Sequence, residues 1–217
     1  MKILGVSGSP IKNSNADRAL KAALEATGME YEFIKLIDYT VAPCKACLGC
    51  VKTNVCVIKD DGIALAEKAK EADALIIAGF TPYSSLDSRT KAFIERLYPL
   101  RHQYGFMQGK PGGAIVTCAI PETHETLPQA SENGTNAVMY YMMEEGMNFV
   151  GAAKVLGNVP CVRCGCDKEC DTSGLRMIYG PEATVESVGI NRYEEQPEAV
   201  KEAKELGQKI AKTLNSE

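Results

Sequence analysis

Short apolar segments alternate along this chain with segments whose apolar residues recur at helical spacing. Continuous apolar runs lie at residues 3–6, 74–78 and 114–117, and runs this short are typical of strands buried on both faces of a parallel sheet. Residues 31–36 alternate between apolar and polar, and residues 149–155 are mainly apolar. We therefore predict five strands.

The segments between these strands have the spacing of amphipathic helices. The pattern covers residues 17–28, 60–72, 91–97 and 137–145, and a charged amphipathic helix is predicted at residues 197–214. Strands that alternate with helices form parallel sheets covered on both faces. The sequence thus predicts an α/β fold with a doubly wound, five-stranded parallel sheet.

Two stretches have neither periodicity, and both are rich in cysteine. They are residues 43–57, after the second predicted strand, and residues 156–192. We predict that residues 1–155 form the α/β domain, with an irregular cysteine-rich loop at 43–57. Residues 156–217 are predicted to be a cysteine-rich extension whose last helix packs on the same domain.

The charge balance excludes one large class of partners. The 217 residues contain 24 Lys and Arg against 28 Asp and Glu, a net charge of −4, so no basic surface is expected for nucleic acid or an anionic membrane. No apolar run reaches the ~20 residues that span a bilayer, and the apolar stretch at residues 3–6 is too short for the core of a secretion signal. We expect a cytoplasmic protein.

Nine of the 217 residues are cysteine, a smaller share than the roughly 8–10% of disulfide-stabilised scaffolds. A cytoplasmic chain of this size does not need disulfides, so clustered cysteines indicate metal or redox chemistry. The first cysteine group is Cys44, Cys47, Cys50 and Cys56, and the second cysteine group is Cys161, Cys164, Cys166 and Cys170. Cys118 stands alone and is expected to be a small core residue or to lie near a ligand.

The loop after the first strand has the composition of a phosphate site. The hydroxyls of Ser7, Ser9 and Ser14 precede a helix, whose N-terminal N–H groups and dipole favour an anion, and Lys12 adds one charge. The loop lacks the G-x-G-x-x-G fingerprint of dinucleotide sites, which favours a mononucleotide such as FMN. The alternative is a Ser/Gly turn that only caps the helix.

At these residues the sequence resembles the flavodoxin-like NAD(P)H-dependent FMN reductases. The resemblance rests on Gly8-Ser9-Pro10-x-Lys12-x-Ser14-Asn15, on Thr81-Pro82-Tyr83-Ser84-Ser85, and on Lys91-Ala92-Phe93-x-x-Arg96. A third flavin loop is expected at Thr117-Cys118-Ala119-Ile120, where the family usually has a glycine-rich turn. The resemblance implies flavin contacts from Ser7, Ser9, Lys12, Ser14, Asn15, Pro82, Tyr83, Ser84, Ser85, Thr117, Cys118 and Ala119.

The first cysteine group has the spacing Cys44-x2-Cys47-x2-Cys50-x5-Cys56. Structural zinc sites normally use two separated pairs, whereas closely spaced cysteines suit a cubane in which each iron takes one thiolate. The spacing resembles the compact motif of the iron–sulfur flavoproteins of anaerobes, a branch of the same family. That resemblance implies a [4Fe–4S] cluster on all four cysteines; a zinc site or cysteines without a cluster are the alternatives.

The second cysteine group, Cys161-x2-Cys164-x-Cys166-x3-Cys170, matches no motif with a settled role. An irregular segment with few apolar residues gains stability from a bound metal, so a second iron–sulfur cluster or zinc is predicted, with free or redox-active thiols as the alternative.

The two histidines, His102 and His124, lie in predicted loops without ligand spacing and are expected at the surface.

Flavins exchange two electrons or one, whereas a [4Fe–4S] cluster exchanges one. The combination predicts an oxidoreductase that passes electrons from reduced nicotinamide or ferredoxin to a small acceptor such as a quinone or an oxygen species, with no acid–base side chain assigned. An electron carrier without its own substrate and a metal-stabilised redox sensor are the alternatives. The family resemblance also implies a homodimer or homotetramer, with the cluster of one subunit near the flavin of another.

Overall fold

Five parallel strands form one sheet in the order β2-β1-β3-β4-β5. The computed structural model describes residues 1–216. The strands are β1 (Lys2–Ser7), β2 (Glu30–Lys35), β3 (Ala74–Phe80), β4 (Pro111–Cys118) and β5 (Asn148–Leu156). The predicted doubly wound, flavodoxin-like α/β fold is confirmed, and all five strands lie where the apolar runs predict them.

Helices follow the strands along the chain. They are α1 (Asn15–Ala26), α2 (Gly62–Glu71), α3 (Ser88–Arg96), α4 (Ala130–Glu144), α5 (Cys161–Cys164), α6 (Gly174–Tyr179), α7 (Val185–Val188) and α8 (Pro197–Leu214). Helix α4 begins earlier than predicted. The apolar pattern missed its first turns because they bury small residues, including Ser131, Gly134 and Thr135, rather than large apolar ones. Among the helices of the described chain, none is long and apolar enough to cross a membrane.

The core lies in two layers, one on each face of the sheet. Helices α2, α3 and α4 pack on one face, where Leu4 and Val6 of β1 point. Helices α1 and α8 pack side by side on the other face, against Ile3. Their close approach requires Gly207 of α8, since a Cβ there would lie 2.0 Å from the carbonyl oxygen of Ala23.

The parallel strands bring the segments that follow all five of them to one edge of the sheet, the edge formed by the carboxyl ends of the strands. The chain order reverses between β1 and β3, which are hydrogen-bonded neighbours. In open α/β sheets, ligands bind outside the carboxyl ends of the strands at such a reversal. We call this the flavin edge, because the three loops with the family resemblance follow β1, β3 and β4.

The C-terminal extension contains three short helices, where the sequence predicts irregular structure. It also has a small apolar cluster, formed by Val159, Cys161, Leu175 and Ala183, against which Ala119 of the loop after β4 packs. The extension therefore adjoins the flavin edge.

Candidate functional site

The loop after β1 is organised by Asp17, a buried carboxylate in the first turn of α1. Ser14 caps the helix by accepting the Asp17 N–H at 3.1 Å, while Asp17 accepts the Ser14 N–H at 3.1 Å. Asp17 also accepts hydrogen bonds from Ser7 Oγ at 2.6 Å and Lys35 Nζ at 2.5 Å. These bonds hold Ser7 and Ser14 in the first loop. Both residues, which are predicted to contact the flavin, therefore also have hydrogen-bond partners within the protein.

Ser9 lies deeper in the same loop and is buried. Its Oγ accepts the N–H of Ile11 at 3.3 Å, and a hydroxyl that accepts one bond keeps its own hydrogen to donate, for example to a phosphate oxygen. Gly8 is necessary beside it, since a Cβ there would lie 1.8 Å from Thr90 Oγ1. Lys12 is exposed at the rim of this loop, where its charge would make a weak electrostatic contact to a phosphate.

Asn15 holds the extension against the start of α1. Its Nδ2 donates to the carbonyl oxygens of Leu156 at 3.3 Å and Asn191 at 3.0 Å, and its Oδ1 accepts the N–H of Tyr193 at 3.3 Å. The amide of Asn15 thus has protein partners on both atoms, and its contact to flavin stays a prediction.

The loop after β3 has an unusual backbone at two of the predicted flavin contacts. Tyr83 has φ 51° and Ser84 has φ 58°, values that are uncommon for residues other than glycine. The loop is closed by a bond from Ser85 N to Pro82 O at 3.2 Å. Its conformation leaves the Tyr83 ring fully exposed, next to the end of β3.

Three hydroxyls beneath these loops are buried without a hydrogen-bond partner in residues 1–216: those of Thr81, Thr117 and Thr135. Thr81 and Thr117 end neighbouring strands and are joined by a backbone bond of 3.2 Å. Thr135 comes from α4, whose Gly134 packs closely on Thr81. Unpartnered buried hydroxyls are costly, and here they suit a ligand that has polar ring atoms, as a flavin does. Of the three, only Thr117 was predicted; Thr135 lies in the part of α4 that the periodicity missed.

The loop after β4 is held by the extension in place of a glycine-rich turn. Cys118 is buried, and its Sγ accepts the N–H of Ile120 at 3.2 Å. His124 Nδ1 accepts backbone N–H groups of its own loop, so Nε2 carries the hydrogen and donates to Ile178 O of α6 at 3.2 Å. His124 is therefore half-buried between the two segments rather than a plain surface residue.

The first cysteine group surrounds a cavity. All four of its cysteines line this opening, together with Arg96, Tyr98 and Pro99 from the end of α3 and the turn after it. All nine cysteines of the chain are free thiols. Four cysteines at one opening are the donor set that iron–sulfur clusters take from proteins.

Arg96 closes the loop that carries this group. It is 1% exposed, and its guanidinium binds both carboxylate oxygens of Asp60 at 2.6 and 2.7 Å and donates to Ala42 O at 3.0 Å. Asp60 in turn accepts the Ala42 N–H at 2.8 Å. The pair therefore joins the residues that flank 43–57. The hydrogen bond between them lowers the pKa of Asp60 and raises that of Arg96.

His102 lies against this group, although the sequence predicted a surface position. Its Nε2 is 3.3 Å from Cys50 Sγ, because the turn after α3 returns beneath the cysteine loop. Burial raises the pKa of the Cys50 thiol, and the negative charge that the other three sulfurs carry when ionised raises it further. Residues 50 and 102 are far apart along the chain, so spacing alone could not reveal this contact.

The second cysteine group is arranged differently. Cys161 is buried; its burial raises its pKa, but hydrogen bonds from the backbone of Leu175 and Gly174 and from Ser173 outweigh this, and the net pKa is lowered. Cys164 and Cys166 are exposed, and Cys170 lies 3.8 Å from Thr172 Oγ1. Across residues 1–216, no three His, Cys, Asp or Glu side chains form a ready-made metal site. Metal binding by either group thus stays a prediction.

The two groups adjoin different parts of the fold. Helix α3 begins after the loop that follows β3, and its end at Arg96 lies about 12 Å along the helix axis from its start. The cavity of the first cysteine group is lined by that far end. Cys161, in contrast, shares an apolar cluster with residues that pack on Ala119 at the flavin edge.

Known proteins resemble this chain in sequence. A sequence model of the NADPH-dependent FMN reductase family matches residues 1–153. An iron-sulfur flavoprotein of Methanosarcina thermophila is 36% identical over 118 residues, which cover 53% of this chain and 62% of that protein. One from Archaeoglobus fulgidus is 36% identical over 122 residues, 55% of each chain. The chain thus spans less than two thirds of these relatives, and they support the resemblance found in the sequence.

A solved structure resembles the chain in fold. A flavodoxin from the domain Archaea is 17% identical and superposes with a TM-score of 0.53 over 99% of both chains. At this level of identity the likeness concerns the fold alone, and it agrees with the parallel sheet described above.

Proposed function

Because the chain belongs to the NADPH-dependent FMN reductase family, we propose that it is an oxidoreductase that uses FMN and an iron–sulfur cluster. It passes electrons from a donor, reduced nicotinamide or ferredoxin, to a small acceptor such as a quinone or an oxygen species. The observation that carries the proposal is the pairing of two features in one chain. Unpartnered buried hydroxyls underlie the flavin edge, and four cysteines line one cavity.

FMN fits the flavin edge by its chemistry. Ser9, Ser14 and Lys12 would hold the phosphate at the start of α1, where the helix dipole favours an anion. Thr81 and Thr117 would bond polar atoms of the ring, since their buried hydroxyls are without partners in the described chain. Bound there, the flavin supplies exchange of electrons in pairs or singly.

The first cysteine group fits a [4Fe–4S] cluster. Such a cluster takes one thiolate per iron and is held by four cysteines, and Cys44, Cys47, Cys50 and Cys56 line one cavity. The relatives named iron-sulfur flavoprotein support this assignment. Zinc is the other metal that binds four thiolates, and elemental analysis distinguishes the two.

The second cysteine group is proposed to bind a second iron–sulfur cluster or zinc. Its lobe has only a small apolar cluster of its own, so a bound metal would add the stability that packing does not supply. The exposed positions of Cys164 and Cys166 leave them accessible to an incoming metal.

A homodimer or homotetramer is also part of the proposal. The cavity of the first cysteine group lies at the end of α3, about 12 Å along the helix axis from the end that follows the loop after β3. A second subunit could bring its own flavin edge to this cavity and so shorten the electron-transfer distance. Molecular mass in solution, measured by light scattering, tests this part of the proposal.

The decisive experiment is anaerobic purification followed by analysis of flavin, iron, sulfide and zinc. We expect one FMN per chain, with about four irons if only the first group is loaded and about eight if both hold cubanes. Cys50→Ser should remove the iron of the first group and leave flavin, and Ser9→Ala should weaken flavin binding and leave iron. Ser216→Ala, at an exposed position after α8, is the control.

Turnover then separates an enzyme from a carrier. The loaded protein is mixed with NADH, NADPH or reduced ferredoxin, and with a quinone or oxygen as acceptor. Sustained turnover with any pair supports the enzyme, whereas stoichiometric electron exchange without turnover shows a carrier. A protein that remains free of flavin and iron after reconstitution contradicts the proposal.

A further inference from the structure

Side chains from outside the cysteine loop reach the thiols of the first cysteine group. The guanidinium of Arg96 lies near Cys56, whose ionised sulfur raises the pKa of Arg96 in addition to the larger effect of Asp60. The imidazole of His102 lies at Cys50, with 3.3 Å between Nε2 and Sγ. Both residues belong to the end of α3 and the turn that follows it.

The position of His102 is set by contacts on two sides. Its ring meets the ring of Tyr98 edge to face, with 4.8 Å between centroids and 85° between planes. Its backbone carbonyl accepts a hydrogen bond of 2.6 Å from Asn54 Nδ2, and the same amide donates to Pro99 O at 2.8 Å. Asn54 belongs to the cysteine loop, so His102 and Cys50 are held together by bonds that do not involve the imidazole.

We infer that His102 is a positioning residue for the cluster, which donates an Nε2–H hydrogen bond to Cys50 Sγ and thereby raises the reduction potential of the bound cluster. The inference rests on the proposed function, because it requires a cluster at the first cysteine group. A sulfur bound to iron has lost its proton and can only accept a hydrogen bond. The hydrogen of this contact must then be on Nε2.

The expected direction follows from charge. Reduction adds an electron to the cluster and makes its sulfur ligands more negative, so a hydrogen bond to a ligand sulfur stabilises the reduced state more than the oxidised one. Cys50 is the buried thiol of its group, and a hydrogen bond is stronger where water is excluded. At a fixed potential, one such bond changes the ratio of reduced to oxidised cluster about fivefold, or about 40 mV at 59 mV per tenfold change.

Arg96 is a poorer subject for the same test. Its guanidinium is bound to Asp60 and to the carbonyl oxygen of Ala42. Replacing it would open the loop as well as remove a charge. His102 can be changed at its side chain while the carbonyl that Asn54 binds remains.

The experiment is an anaerobic redox titration of the loaded protein, followed by electron paramagnetic resonance. In His102→Leu the hydrogen bond is lost, and the midpoint potential of the cluster should fall by about 40 mV, the fivefold change above. In His102→Gln the side-chain amide can still donate, so the potential should stay near the unmodified value. His124→Gln is the matched control, since it removes the other imidazole of the chain, which contacts Ile178 O, and it should leave the cluster potential unchanged.

Each other outcome overturns the inference in a recognisable way. His102→Leu with full iron, sulfide and flavin but an unchanged potential refutes it and leaves the proposed function standing. Loss of iron from both His102 variants shows that His102 is needed to retain the cluster, which overturns the inference that it only tunes the potential. Absence of iron from the unmodified protein refutes the proposed function together with the inference. Where His102→Leu does not fold, His102→Asn serves in its place, because its shorter amide falls short of Cys50.

Discussion

The two cysteine groups contain four thiols each but are built on different principles. In the first, the four cysteines line a cavity, and the buried ion pair of Arg96 and Asp60 joins the segments that flank their loop. In the second, one thiol is buried in a small apolar cluster while two are exposed. The first group is thus shaped by the protein itself, and the second lacks a comparable support.

This difference indicates how each group would respond to its metal. A loop that is closed by protein contacts needs little rearrangement to bind a cluster, so its shape should survive loss of the metal. A segment with few packing contacts gains most of its order when the metal binds, because the free energy of binding is then also free energy of folding. Variants that break protein contacts should therefore disturb mainly the first group, whereas removal of metal should disturb mainly the second.

The largest effect is expected from Arg96→Met, which breaks the clasp of the first group. By clasp we mean the ion pair between Arg96 and Asp60. Asp60 would stay buried with its partner removed, and such a loss costs about 3–5 kcal/mol. We expect this decrease in the free energy of unfolding in urea, together with loss of iron from the first group only. Arg192→Met is the control, because Arg192 is 64% exposed and 3.8 Å from the similarly exposed Glu195, and it should change stability by about 0.5 kcal/mol or less. A stable Arg96→Met protein with full iron would show that the clasp is dispensable.

The sequence predicted those parts of the molecule that depend on local pattern. Apolar runs identified all five strands, and cysteine spacing identified the group whose thiols share a cavity. It did not predict the contacts that join distant segments. Arg96 was recognised only as part of a family motif, and His102 was assigned to the surface, because the turn after α3 that brings them to the cysteine loop leaves no periodic signal.

The next largest effect is expected when metal is removed from the second group. Chelation should loosen residues 161–172, and limited proteolysis there should accelerate about a hundredfold, because cleavage follows the population of the open form. Residues 43–57 should be cleaved much more slowly under the same conditions, since Arg96 and Asp60 keep that loop closed. Equal cleavage of both segments would contradict the distinction between the two groups.

Asn54→Ala tests a smaller support of the first group. It removes the hydrogen bonds to Pro99 O and His102 O and places alanine at a position with φ 53°, where asparagine is better tolerated. We expect a loss of about 1–2 kcal/mol of stability and easier release of iron from the first group. Asn54→Gly, which tolerates the backbone but lacks the amide, separates the two causes: a similar loss in both variants assigns the effect to the hydrogen bonds.

The smallest effect is expected at Glu145, which lies outside both cysteine groups and reports on the α/β domain alone. Burial raises its pKa from 4.5 to about 7, Arg101 partly offsets this, and Glu144 adds to it. A carboxyl group whose pKa is higher in the folded state binds more protons there, so its contribution to stability falls as the pH rises from 4.5 to 7. Glu145→Gln should therefore stabilise the protein by about 1 kcal/mol at pH 8 and change little at pH 4.

The exposed neighbour supplies the control for this prediction. Glu144→Gln removes the same charge from a side chain that is 73% exposed, and its effect on the urea midpoint should be small at both pH values. Since neither glutamate touches the cysteine loop or the extension, the iron content of both variants should equal that of the unmodified protein. A change in iron content with Glu145→Gln would mean that global stability, and not the local clasp, controls metal retention by the first group.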